Sequence, residues 1–227
     1  MKRITIFNPL HFLFLIAGIT SIFSCNEIFY PHNPNPNSMD PAQEALKLLE
    51  SLANEYTYKQ MGFASLEEVS SAELGTPVSV FTVGYDVIRN YEENMHPNLL
   101  LTDLHEIIYP VVSGGQIRSS IGVMYDGKEW EYTDIGRPNF TNALFEAREL
   151  HVSSTGRNHE DFFMVNFPAL YITLIAYRLE DGSTEMAVVH GSDLTGLKTN
   201  ELLPGNKVFA AIAAYAKEHP AEGMSPD

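Results

Sequence analysis

A single cysteine, Cys25, in 227 residues removes every architecture that depends on internal cross-links. One thiol cannot close an internal disulfide or supply a cysteine-rich zinc cage, so the chain must hold together by packing apolar surface. It has the means to do so. Hydrophobic residues make up 44% of the sequence and aromatic residues 11%, and the length suits one sizeable domain.

The order of the apolar residues predicts how that core is built. Asp40-Pro41-Ala42-Gln43 offers a capping carboxylate, a proline suited to the first helical position and a glutamine at capping-box distance. Behind it Ala45, Leu48, Leu49, Leu52, Ala53 and Tyr56 recur at helical spacing. Ser65-Leu66-Glu67-Glu68 announces a second, short helix that Gly75 and Pro77 stop. Residues 78–83 read as a strand, and 86–91 as a short helix. Ser113-Gly114-Gly115 joins 107–112 to 116–125 as a hairpin, with Ile117, Ile121, Val123 and Tyr125 expected on one face; Asp126-Gly127 turns into 129–133. A helix starts at Pro138, with Phe140, Ala143, Leu144 and Ala147 on one side. The pattern then partly recurs: strands within 162–179, a turn at Asp181-Gly182, a strand at 185–190, and a helix over 206–219. Runs of strands joined by tight turns predict one α+β domain over 42–220, an antiparallel meander sheet with helices packed on one face. Residues 221–227 are expected to fray.

The first 25 residues carry a different signal. Lys2 and Arg3 precede an apolar stretch, 12–23, and Ser24 closes it, which is the order of a removable export signal. The stretch is short for the ~20 residues a spanning helix needs. Ile22-Phe23-Ser24-Cys25 resembles the lipobox of bacterial lipoproteins, a likeness confined to this segment. It implies that Cys25 is joined to diacylglycerol, that residues 1–24 are removed, and that the protein is exported and lipid-anchored to the bacterial cell envelope. In two-membrane bacteria, Asn26 in place of an aspartate after the lipidated cysteine implies the outer membrane. Residues 25–41, with Pro31, Pro34, Pro36 and Pro41 among asparagines, read as a semi-extended tether reaching roughly 40–50 Å.

Charge narrows the partners. Fourteen Lys and Arg against 29 Asp and Glu give a formal net charge of −15, and Lys2 and Arg3 fall in the segment expected to be removed. Nucleic acid is thereby excluded as a partner class, because phosphate neutralisation needs clustered positive charge. Anionic head groups would repel the domain too, so the lipid on Cys25 is the expected membrane contact.

Within the domain, Glu129-Trp130-Glu131-Tyr132 alternates acids with aromatics. Trp130 and Tyr132 either form a recognition patch or point into the core with the glutamates outside. Eight histidines prompt a search for metal ligands; His105-Glu106 near Asp103, and the loop set His151, His159 and Asp161, are the densest groups, without HExxH or EF-hand spacing. Gly-x-Ser-x-Gly is missing, and Ser192-Asp193 lies too close in sequence to His190 for a triad. Gly114-Gly115 joins strands, so it is no phosphate cradle, and no cofactor is expected. The expected function is a non-catalytic, acidic domain that binds a small ligand or a protein. An anchored hydrolase with a His/carboxylate site, and an inhibitor or immunity-type protein that binds a basic partner, are the alternatives.

Overall fold

The computed structural model describes residues 35–219; the signal segment, Cys25, the tether up to residue 34 and the tail from residue 220 lie outside the described residues. A 3-10 turn, Pro36–Ser38, leads directly into α1 (Met39–Leu52). The folded body thus begins inside the stretch read as tether. Its cause is a long-range contact: the Ser38 hydroxyl donates to Asn35 O (2.6 Å) and shares a hydrogen bond with the buried Tyr109 hydroxyl (2.7 Å), which fastens the turn to the sheet. Ala42, Ala45, Leu46 and Leu49 form the buried face of α1, while Tyr56 lies beyond the helix and is exposed.

Next come α2 (Leu66–Ser70), β1 (Glu73–Leu74), β2 (Val78–Thr82) and α3 (Tyr85–Arg89). Ser65 caps α2 by accepting from the Glu68 amide (3.3 Å), and the Glu68 carboxylate reaches back to the Ala64 amide (2.7 Å) while also pairing with Arg118. Two hairpins follow in β3 (Thr102–Ser113), β4 (Gln116–Tyr125) and β5 (Trp130–Gly136). Gly114 and Gly115 sit at φ 60° and 75°, the left-handed pair that a two-residue connection between twisted strands requires. At the second turn the Asp126 carboxylate accepts from the amides of Lys128 (2.8 Å) and Glu129 (3.0 Å). After α4 (Pro138–Thr155) the chain repeats the theme with β6 (Phe162–Phe167), β7 (Ile172–Arg178) and β8 (Thr184–His190). It ends with α5 (Ser192–Thr195), β9 (Leu203–Pro204) and α6 (Gly205–Glu218).

The described residues form a single α+β domain around one nine-stranded sheet, ordered β5-β4-β3-β2-β6-β7-β8-β9 with β1 beside β3. All neighbours run antiparallel except β2 and β6, which are parallel. Ser79 pairs with both Ile107 and Phe163, so these two side chains share a face. Ile107 belongs to the core under α1 and α2, and Phe163 to the core under α3 and α6. Ile108 and Phe162 point the other way, into a third core built on Leu144, Phe145 and Ala147 of α4. The sheet is therefore covered on both sides, where the sequence pattern predicts helices on one. The reason is topological: α4 must return the chain from the edge strand β5 to β6, beyond three intervening strands, and it crosses the open face.

One expected stripe is also split. Ile121 and Val123 are buried under α1, but a bulge between Val111 and Val112 turns Ile117 to the α4 side.

Two glycines separate backbone freedom from space. Gly62 has φ +96°, and a Cβ there would lie 1.9 Å from Arg118 O; Gly114 has φ +60° with open space around it. Gly62→Ala should lower unfolding free energy by at least about 3 kcal/mol, and Gly114→Ala by about 1 kcal/mol. Urea midpoints at constant m-value will rank the two.

Candidate functional site

The acid–aromatic strand opens onto a cleft. Trp130 begins β5, is half-buried against the α1 core, and meets the Tyr125 ring at 5.7 Å between centroids, tilted 42°. Both rings border an open cleft of about 620 Å³, whose other wall is the Pro36–Ser38 turn and the start of α1. Asp40, Glu44 and Glu129 bring three carboxylates to it, and Lys128 one ammonium. Tyr132 is 45% exposed on the same strand. The structure thus divides the two aromatic candidates: Trp130 is part core and part cleft wall, and Tyr132 is largely surface. Sequence reasoning found Trp130 but missed the Asp40 and Glu44 side, because residues some 85 positions apart meet only through tertiary packing; Tyr125, the cross-strand partner of Trp130, was placed on the stripe of Ile121 and Val123 and not in a cleft.

The metal candidates do not converge. His151 is 3% exposed on the inner face of α4, and its Nε2 has no hydrogen-bond partner. His159 Nε2 lies 2.8 Å from the Glu149 carboxylate, and the Asp161 carboxylate caps the Asn158 amide (3.0 Å). Among the described residues no group of three or more His, Cys, Asp or Glu is placed to hold a metal ion. Ser192 shares its hydrogen bond with Thr199 (2.7 Å). Compared with known proteins, the chain matches no family model, no curated protein and no solved structure.

The other dense group, near His105 and Glu106, does form a charged cluster. A Cβ on Gly122 would be 3.7 Å from Glu106 Oε1 and 3.5 Å from Asp134 Cβ, so the glycine leaves both side chains room over β4. Arg137 Nε holds Asp134 at 2.8 Å, and His105 Nδ1 lies 3.2 Å from Asp103. Burial pushes the Glu106 carboxyl above its ordinary value and Asp134 adds to the rise, while Arg137 opposes both. His105 and Arg137 have left-handed backbones, φ 52° and 56°, a cost that side-chain-bearing residues rarely bear.

Buried titratable groups give this fold a pH signature with two opposite parts. Burial pushes the His151 imidazole below its ordinary value. Below about pH 6.5 the unfolded chain therefore takes up a proton that the folded one refuses, and stability falls with falling pH. Glu106 acts in reverse: its raised carboxyl pKa stabilises the fold at low pH, and that contribution is lost as pH rises through the folded value. Urea unfolding from pH 5 to 8 should show a flatter acid decline for His151→Gln. Glu106→Gln should exceed wild type at pH 7, with the gain gone in acid.

Proposed function

We propose that this chain is an exported, lipid-anchored envelope protein whose domain binds a partner and performs no reaction, with the Trp130 cleft as the binding surface for a basic segment of another protein. The anchor rests on Cys25, the sequence's one cysteine, at the end of an apolar N-terminal run. Among the described residues no helix is long and apolar enough to cross a membrane, so on this reading the lipid does the holding. The observation that carries the binding role is the Trp130–Tyr125 ring pair edged by Asp40, Glu44 and Glu129. Aromatic faces attract ammonium and guanidinium groups, and adjacent carboxylates reinforce them. The net charge of −15 adds long-range attraction for a basic partner, which favours this class over an acidic or neutral one.

An anchored hydrolase is the second reading, and one observation favours it: Glu106 sits with a raised pKa beside Asp134 and Arg137 at a place where the backbone is strained. The Thr133 hydroxyl also lies over Gly122, but the one histidine nearby, His105, pairs with Asp103 rather than with that hydroxyl, so binding is the better-supported role.

Two measurements test the proposal. Cys25→Ser should move the protein from the membrane fraction to the soluble envelope fraction; retention in the membrane fraction rejects the lipid anchor. Trp130, the single tryptophan, reports on its own cleft. A lysine-rich peptide should shift its fluorescence saturably, and the shift should weaken in salt as the Debye length shortens. A glutamate-rich peptide of equal length should leave it unchanged. Equal responses to the two peptides, or none to either, reject the basic partner.

A further inference from the structure

The two edges of the sheet are finished differently. On the β8 side, β9 pairs over two residues only, and Pro204, the second of them, has no amide to donate. Further along that edge the Asn200 amide bonds Val188 O (2.9 Å). A cavity of about 370 Å³, walled in part by Met95, Pro97 and Leu179, lies there beside the start of α6. On the other side β5 is the last strand, seven residues long and without proline, and among the described residues no strand pairs with its outer edge.

The hydrogen-bonding groups on that outer edge follow from the hairpin. The Asp126 amide bonds Glu129 O (3.1 Å), which makes these residues the first hydrogen-bonded pair between β4 and β5. Such pairs alternate along an antiparallel ladder, so Met124 and Glu131 form the next one, and Trp130 and Tyr132 direct their amides and carbonyls away from β4. Thr133 is an extra residue between the Tyr132–Val123 and Asp134–Gly122 pairs. This bulge bends the strand and confines the regular edge to its first half, beside the Trp130 cleft.

Side chains along this stretch sort by face. Tyr132 is the partner of Val123, and Val123 and Trp130 belong to the α1 core, so both rings stand on the α1 side. Glu129 and Glu131 alternate with them and stand on the other side, both exposed. A strand laid antiparallel against β5 would meet an aromatic ring at every second residue and a carboxylate at those between. Cations suit the carboxylates, and β-branched or other apolar side chains suit the rings. A second copy of the chain suits neither, because each copy carries a formal net charge of −15 and brings the same carboxylates to the same edge.

We infer that the outer edge of β5 takes up an extended, basic segment of another protein as an added antiparallel strand, with lysine or arginine beside Glu129 and Glu131 and apolar side chains beside Trp130 and Tyr132. The end of the segment nearest Trp130 enters the cleft, where Asp40 and Glu44 meet its next cation. Strand addition is the way the basic partner proposed above is held, and it rests on that reading.

An acetylated and amidated Lys-Val octapeptide, titrated into the detergent-purified full-length protein with Trp130 fluorescence as the readout, should bind saturably. Antiparallel pairing turns the amides opposite Trp130 and Tyr132, those of the valines, toward β5 and leaves the lysine amides facing water. N-methylation of the valines should therefore weaken binding about tenfold or more, and N-methylation of the lysines should change it by less than about twofold. Glu131→Lys should weaken binding of the parent peptide about fivefold more than Glu180→Lys, an exposed change of equal charge at the turn between β7 and β8. If the parent peptide binds and the two methylated forms bind alike, or only methylated lysines abolish binding, strand addition is overturned while the basic partner stands. Failure of the parent peptide to bind rejects the basic partner and the added strand with it. Equal weakening by the two lysine substitutions, or a peptide-free dimer that the peptide dissociates, overturns the occupant assigned to the edge.

Discussion

The parallel contact between β2 and β6 is the constraint around which the rest of the molecule is arranged. Parallel neighbours cannot be joined by a tight turn, so the chain must leave β2, build three antiparallel strands and come back through a crossover. The return falls to α4. It covers four strand spacings, roughly 19 Å, and its 18 residues reach roughly 27 Å. At the seam the Val83 amide (3.0 Å) and the Thr82 hydroxyl (3.2 Å) both donate to Asn166 O, and Phe81 meets Phe163 edge-on at 5.2 Å. Two hairpin-built halves thereby share one sheet and one apolar layer.

The crossover also explains why α4 is the least cleanly amphipathic of the long helices. Its buried face includes Thr141, Arg148 and His151 beside Leu144, Phe145 and Ala147. Polar groups there are tied to the elements that the helix passes. The Thr141 hydroxyl lies 2.7 Å from Ser120 Oγ and 2.9 Å from Arg137 O and gives its one proton to either, and Ser120 donates to Gly136 O (2.8 Å), which closes the β5–α4 corner. Arg148, 3% exposed, donates to Thr76 O at 2.6 Å and lies over the Phe145 ring. Burial lowers its pKa and Glu149 opposes the change, so the guanidinium is retained through specific contacts rather than by solvent. These bonds set where α4 lies along the sheet, a choice that apolar packing alone would leave loose.

Legibility in the sequence followed the range of the interaction. Gly114-Gly115, Asp126-Gly127 and Asp181-Gly182 marked three of the four hairpins because turn geometry is decided within four residues, and the Ser65 cap was readable for the same reason; the fourth, where Pro168–Leu170 joins β6 to β7, has no glycine to announce it. The β2–β6 seam had no local mark: Thr82 and Asn166 are 84 positions apart, and nothing in either strand encodes its neighbour. Without the seam, the side that α4 covers could not be read. The start of the body was hidden likewise, since Ser38 is ordered by Tyr109, 71 positions away. In the cleft, Trp130 was visible as the one tryptophan among acids, whereas its wall from α1 was not. His151 looked like a loop ligand because its neighbours are Ser, Thr, Gly and Asn; in fact α4 runs through to Thr155 and buries the ring.

The two cavities lie far enough apart to act independently. Six strand spacings separate β5 from β8, roughly 29 Å, against a Debye length of about 8 Å at physiological ionic strength. Charge brought to one site is therefore screened from the other, and the sheet between them offers a packed, continuous layer rather than an element with two arrangements. Coupling would need such a two-state element. The character of each place is then set by its own lining, ring faces and carboxylates at Trp130 and apolar side chains beside the start of α6. The acidity of the whole chain enters differently, through the rate of encounter: a negative field speeds the approach of a cation and slows that of an anion.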